Sequence, residues 1–180
     1  AAYPNVKHVA YDAISESGTA DAFETMFGER AIPNYHFEKA HTIVSFGADF
    51  IGDWQGGFEK GYAASRNPDS GHMSYLVQFE ANMSLTGANA DKRVVAKPSD
   101  QVFALLNLYN TITGASLPSK STPVDAHIKE VAVALKKSGS HGVVVSGSSD
   151  KNAQLIAFAI NDALQSVVFD AANPLHIRKG

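Results

Sequence analysis

The residues that could do chemistry gather in two loops, each directly after an apolar, β-branched run. In "TIVSFGADF" (42–50) the run gives way to Gly47 and Asp49; in "VVVSGSSDK" (143–151) it gives way to Gly147 and then Ser148, Ser149 and Asp150. Ligands of a doubly wound sheet sit in loops of this kind, at the carboxyl ends of the strands. Ser148 to Asp150 precede a helical pattern, so they either cradle a phosphate at free N–H groups or simply cap the helix. Neither loop is a G-x-G-x-x-G fingerprint or a P-loop. Asp49 and Glu80, the latter closing "YLVQFE", are carboxylates at strand ends. Such groups bind ribose hydroxyls in this architecture, and they serve equally well as helix caps or solvated charges.

Other chemistries find no support. The seven histidines form neither H-x-x-x-H nor H-E-x-x-H, and His36 and His41 are badly spaced for one zinc ion. There is no cysteine, hence no disulfide, thiolate nucleophile or cysteine-held cluster in this stretch. "VVSGSS" lacks the G-x-S-x-G elbow of a serine hydrolase. Trp54 reads as a packing residue.

The elements that must position these loops alternate. Strands are expected over Val6 to Tyr11, within "FEKAHTIVSFG", over Tyr75 to Phe79, in "KRVVAKPSD", in "GVVVSG" and in "VVFD". Between them lie helices: one capped by Ser17 or Thr19 and ended by Gly28, and a glycine-spotted one ending near Asn67 and Pro68. A third follows Ser99 or Asp100 as cap, and then come "VDAHIKEVAVALKKSG" and "KNAQLIAFAINDALQS". Pro33 and Asn34 read as a turn, "ANMSLTGANAD" as a long connection and "GASLPSKSTP" as a surface loop. The expected fold is α/β, a Rossmann-like three-layer domain with a mostly parallel sheet and helices on both faces.

Composition agrees with one domain over residues 1–180: 44% hydrophobic, 18% charged, net charge −3. Nothing in it marks disorder or a nucleic-acid footprint, and no apolar run reaches the roughly 20 residues of a membrane span. The start at Ala1, with no visible signal peptide, suits a processed protein or an excised domain.

The order of segments adds a resemblance. "FGERAIPNYHFEKAHTIVSFGADF", "YLVQFEANMSLTGANADKRVVAKPSD" and "HIKEVAVALKKSGSHGVVVSGSSDKNAQLIAFAINDAL" together resemble the molybdopterin oxidoreductase family. The stretches that match its cofactor-binding turns are Gly47-Ala48-Asp49, Glu80-Ala81-Asn82, Ala90-Asp91 and Pro98-Ser99-Asp100. More narrowly, "FGADFIGDW", "QFEANMSLTGANADKR" and "VVSGSSDKNAQ" look like the molybdopterin-like and iron–sulfur subunit of alternative complex III, a quinol oxidoreductase.

This resemblance implies a piece of a larger subunit in a membrane-bound respiratory complex, periplasmic and attached through partner subunits. Its partners would be the other domains of its own subunit and neighbouring subunits. In the wider family this domain holds the guanosine end of a molybdopterin guanine dinucleotide. Carried over, that site would comprise Ser45, Gly47, Asp49, Glu80, Ser84, Thr86, Asp91, Lys97 and Asp100. The narrower relatives imply a scaffold with no molybdenum cofactor and no catalytic residue, the iron–sulfur clusters lying elsewhere in the subunit. The departures point the same way: Asp49 stands where the family has asparagine, and Glu80 and Asn82 stand where it has aspartate and arginine. A carboxylate repels a diphosphate, and one cation is lost. Lys92, Arg93 and Lys97 remain as the cations near the loops, and Lys97 directed into the cleft would favour a working nucleotide site.

Overall fold

The computed structural model describes residues 5–6, 15 and 17–176. Apart from its first residue, the strand expected over Val6 to Tyr11 lies outside them. The elements in chain order are α1 (Ser17–Phe27), β1 (Ile32–Tyr35), β2 (Thr42–Phe46), α2 (Phe58–Ser65), β3 (Tyr75–Glu80), α3 (Leu85–Ala88) and β4 (Lys92–Val95). Then follow α4 (Pro98–Thr113), α5 (Asp125–Ser138), β5 (Gly142–Ser146), α6 (Lys151–Ala163) and β6 (Phe169–Leu175).

The central sheet runs β4-β3-β2-β5, all parallel. Every residue of β2 and β5 is buried, which is why both read as unbroken apolar runs rather than alternating ones. Val44, Phe46, Val77, Phe79 and Val144 face one way, against α4, α5 and α6. Helix α5 meets them with Ile128, Val131, Ala132 and Leu135, one stripe at helical spacing. Ile43, Leu76, Val143 and Val145 face the other way, into an aromatic layer that includes Phe37, Phe50, Phe58 and Tyr62. Trp54 packs edge-on to Phe50 and Phe58 at ring-centroid distances of 6.4 and 5.8 Å, as a packing residue should. The three-layer, Rossmann-like expectation therefore holds.

Four local readings need correction. Pro33 and Asn34 do not form a turn; they lie in β1, which pairs antiparallel with β6 in a separate two-stranded sheet. The register slips between Ile32 and Asn34, where Pro33 has no N–H to give. The final strand thus closes this small sheet, not the main one. The connection at 81–91 contains the single turn α3, capped by Ser84, whose hydroxyl accepts from the Gly87 N–H. Helix α4 starts a residue or two before the expected caps, with Pro98 first and the Lys97 carbonyl accepting from the Asp100 and Gln101 N–H groups.

The sheet stops at β5 for a physical reason. A parallel edge strand presents outward N–H and C=O groups that normally invite another strand. Here side chains take them. Asn161 of α6 accepts from the Val144 N–H (2.7 Å) and donates to the Val144 carbonyl (2.8 Å). Ser166 donates to the Gly142 carbonyl, and Gln154 to that of Ser146.

Candidate functional site

From β2 the chain steps outward to β3 and β4, then returns to place β5 on the other side of β2. The switch point therefore lies between the loops after β2 and β5, the position where doubly wound sheets bind ligands. A cleft of about 410 Å³ opens there. Its floor is Phe46 and Gly47 at the end of β2, Glu80 to Asn82 at the end of β3, and Ser146 to Ser149 at the end of β5. The first turns of α4 wall it with Pro98, Gln101, Val102 and Leu105, and Ala153 of α6 closes the far side. The two loops touch so closely that a Cβ on Gly147 would stand 2.3 Å from the Gly47 carbonyl oxygen, which only glycine permits.

Both strand-end carboxylates are committed to the protein itself. Asp49 Oδ1 accepts from the Thr86 N–H (2.9 Å), the Thr86 hydroxyl (2.7 Å) and the Gly52 N–H (3.2 Å). Burial alone would raise its pKa, but these bonds outweigh burial and hold it below the ordinary aspartate value. Ser45, fully buried, donates to the Ala48 carbonyl, and Gln78 donates to the same oxygen.

Glu80 is more deeply held. Arg93 Nε reaches Oε1, the Ser84 hydroxyl reaches Oε2 at 2.6 Å, and Gln78 and the Ser84 N–H complete the set. Burial pushes its pKa up; the Ser84 hydroxyl, Arg93 and Gln78 pull it down further, leaving it below the usual glutamate range. A Cβ on Gly87 would fall 1.9 Å from Oε1, so that glycine leaves room for the carboxylate.

Two of the three cations near the loops are spoken for. Arg93 is bound to Glu80, and Lys92 Nζ to Glu130. Lys97 is exposed at the head of α4, and neither it nor Asp100 lines the cleft. Asp91 lies at the opposite edge of the sheet, paired with Arg66 through two 2.9 Å bonds and accepting from the Leu76 N–H. At the start of α6, Asp150 accepts from the Asn152 and Ala153 N–H groups (2.7 and 3.1 Å), so the capping reading of "SSD" holds.

Of the nine residues carried over from the resemblance, Gly47, Glu80 and Ser84 line the cleft. Ser45, Asp49 and Thr86 form bonds beneath its rim, while Asp91, Lys97 and Asp100 lie apart. Sequence reasoning did not pick out Gln101, Ser146 or Gln154. Gln101 follows a proline-led helix start, the one signal that could have flagged it. Among the described residues, no lysine, arginine or histidine lines the cleft. With the Asn152 and Ala153 N–H groups taken by Asp150 and no cation among the described lining residues, these residues do not fit a diphosphate. Among the described residues, no group of three or more His, Asp or Glu side chains is placed to hold a metal ion, and no helix is long and apolar enough to cross a membrane.

Compared with known protein families the chain matches none, and no curated protein matches it either.

Proposed function

We propose that this chain is the molybdopterin-like scaffold domain of a membrane-associated, quinol-oxidising electron-transfer complex, periplasmic, and without a molybdenum cofactor of its own. In this role the Rossmann-like core carries no reaction. It presents surfaces to the cluster-bearing region of its own subunit and to neighbouring subunits. The sequence resemblance supplies the family, and the parallel sheet agrees with it.

One observation carries the scaffold reading: the cleft at the switch point keeps its nucleotide-site position but has no lysine, arginine or histidine among its described lining residues to meet a phosphate. Glu80 is spent on Arg93, and Asp150 fills the head of α6. The competing reading, a functional guanine-dinucleotide domain of a molybdenum enzyme, draws on the size of the cleft and its amide and hydroxyl lining.

A calorimetric titration with GDP separates them. The scaffold reading expects no saturable heat at millimolar GDP. Saturable binding that weakens in Gln101→Ala would overturn it in favour of the cofactor domain. The subunit purified from membranes should carry iron and no stoichiometric molybdenum, and should co-purify with quinol-oxidising activity; a subunit isolated without such a complex would defeat the partner assignment.

A further inference from the structure

The two edges of the central sheet are finished differently. At β5 the side chains of Asn161, Ser166 and Gln154 take the outward backbone groups. At the other edge, no strand lies beyond β4 among the described residues. We propose that β4 is the seat of a homodimer, in which a second copy of this chain adds its own β4 antiparallel about a two-fold axis at Val94.

The register shows which groups are free to pair. The Ala96 N–H donates to the Glu80 carbonyl, and Glu80 stands opposite Val95. Bonding direction alternates along a strand, so Lys92, Val94 and Ala96 turn their N–H and C=O toward β3, and Arg93 and Val95 turn theirs outward. Among the described residues, no side chain bonds those outward groups in the way Asn161 does at β5. The usual deterrents to edge pairing are absent as well. Natural edges are blunted by proline, by bulges or by free charges. Lys92–Val95 contains no proline and pairs with β3 in unbroken register. Its two charges are neutralised within the chain, Lys92 by Glu130 and Arg93 by Glu80. Val95 is 66% exposed, and the exposed Met83 and Leu85 flank Ser84, which is bonded to Glu80 beside it.

The placement of charge selects a second copy as the occupant and Val94 as the axis. An antiparallel pair must set outward residues against outward residues, which allows an axis at Arg93, Val94 or Val95. An axis at Arg93 opposes two guanidinium groups, and one at Val95 opposes Arg93 to the partner's Lys97; like charges directly opposite destabilise a pair. About Val94, Arg93 faces the partner's Val95 and Lys92 faces the partner's Ala96, so no like charges meet. Each Arg93–Val95 pair exchanges both N–H···O bonds, and the aliphatic stem of Arg93 covers the partner's exposed valine. The contact is isologous and closes with two copies, joining the two sheets into one. It rests on the sheet alone and not on the scaffold role.

Sedimentation equilibrium of this chain, over roughly 10 μM to 1 mM, tests the proposal. Reversible monomer–dimer association is expected, with the Arg93 and Val95 amides gaining protection from hydrogen exchange as concentration rises. Val95→Lys sets a lysine against the partner's Arg93 at two symmetric positions and should weaken the dimer about tenfold. Val95→Pro removes an outward N–H without touching the bonds to β3 and should also weaken it. Val133→Lys, at a comparably exposed valine on α5, should leave association unchanged. A chain that stays monomeric throughout, or a dimer that keeps its strength in both Val95 variants, would overturn the proposal. Should those variants fold poorly, exchange in the wild type decides: Arg93 and Val95 amides indifferent to concentration refute pairing at β4.

Discussion

Replacing Asn161 should be among the most costly single changes in the α6 layer. Its side chain is 1% exposed and makes two short bonds to one residue, Val144, in the middle of β5. Removing the amide leaves an N–H and a C=O of a buried strand without partners. Each such orphan costs about 1–3 kcal/mol, so the pair should cost roughly 2–6 kcal/mol. That is a large share of the roughly 5–15 kcal/mol holding a domain of this kind together. Asn161→Leu keeps the branched shape and removes the hydrogen bonds, but its methyl groups are larger than the amide and add some overpacking against the strand. Asn161→Ala adds a small cavity to the same loss. Urea unfolding measures the free energies, and hydrogen exchange at Val144 reads the site directly, since its amide should lose protection in both variants. An Asn161→Leu protein within about 1 kcal/mol of wild type, with the Val144 amide still protected, would refute the reasoning. It would mean that the outer edge of β5 finds its partners elsewhere.

Two further outcomes concern the cleft. Glu80→Gln should destabilise by about 2–4 kcal/mol at pH 7, because it leaves Arg93 without its counter-charge. Since the Glu80 pKa is lowered on folding, its contribution is present above the unfolded value and is lost as pH falls through the folded one; wild type and variant should therefore converge below about pH 4 in acid-unfolding curves. Gly87→Ala forces a methyl group against Oε1 of Glu80 and should cost at least about 2 kcal/mol alone, yet far less in a Glu80→Ala background, as a double-mutant cycle would show.

What the sequence discloses about this fold follows from how locally each feature is determined. The parallel strands are legible because burial on both faces leaves continuous apolar runs, as in "TIVSF" and "GVVVS". Helix α5 is legible from its own stripe. Pro33-Asn34 carries turn chemistry and still becomes a strand, because β6, more than 130 residues away, supplies the pairing: Asn34 meets Asp170. Helix α3 is too short to show a period. The site follows the same rule. Strand-end loops mark where a cleft must open, whereas the partners of its carboxylates are tertiary facts. Asp49 bonds Thr86 across 37 positions and Glu80 takes Arg93 across 13. No local pattern announces that those charges are already satisfied.

That satisfaction is tied to α3 itself. One isolated helical turn is far below the length that holds together in water, so something outside α3 must supply its stability. The two carboxylates do so from opposite sides: Asp49 binds the N–H and hydroxyl of Thr86, and Glu80 binds the N–H and hydroxyl of Ser84. A nucleotide approaching this cleft would have to compete for Glu80 with five donor contacts already in place. Winning that competition would release α3, expose Arg93 and undo the wall against which the ligand was to bind. A residue cannot both hold the rim closed and open it for a ligand without a second carboxylate taking over one task. Among the described residues that line this cleft, Glu80 is the one acidic side chain. The geometry therefore favours a rim kept shut as part of the fold, as the scaffold role proposed above expects.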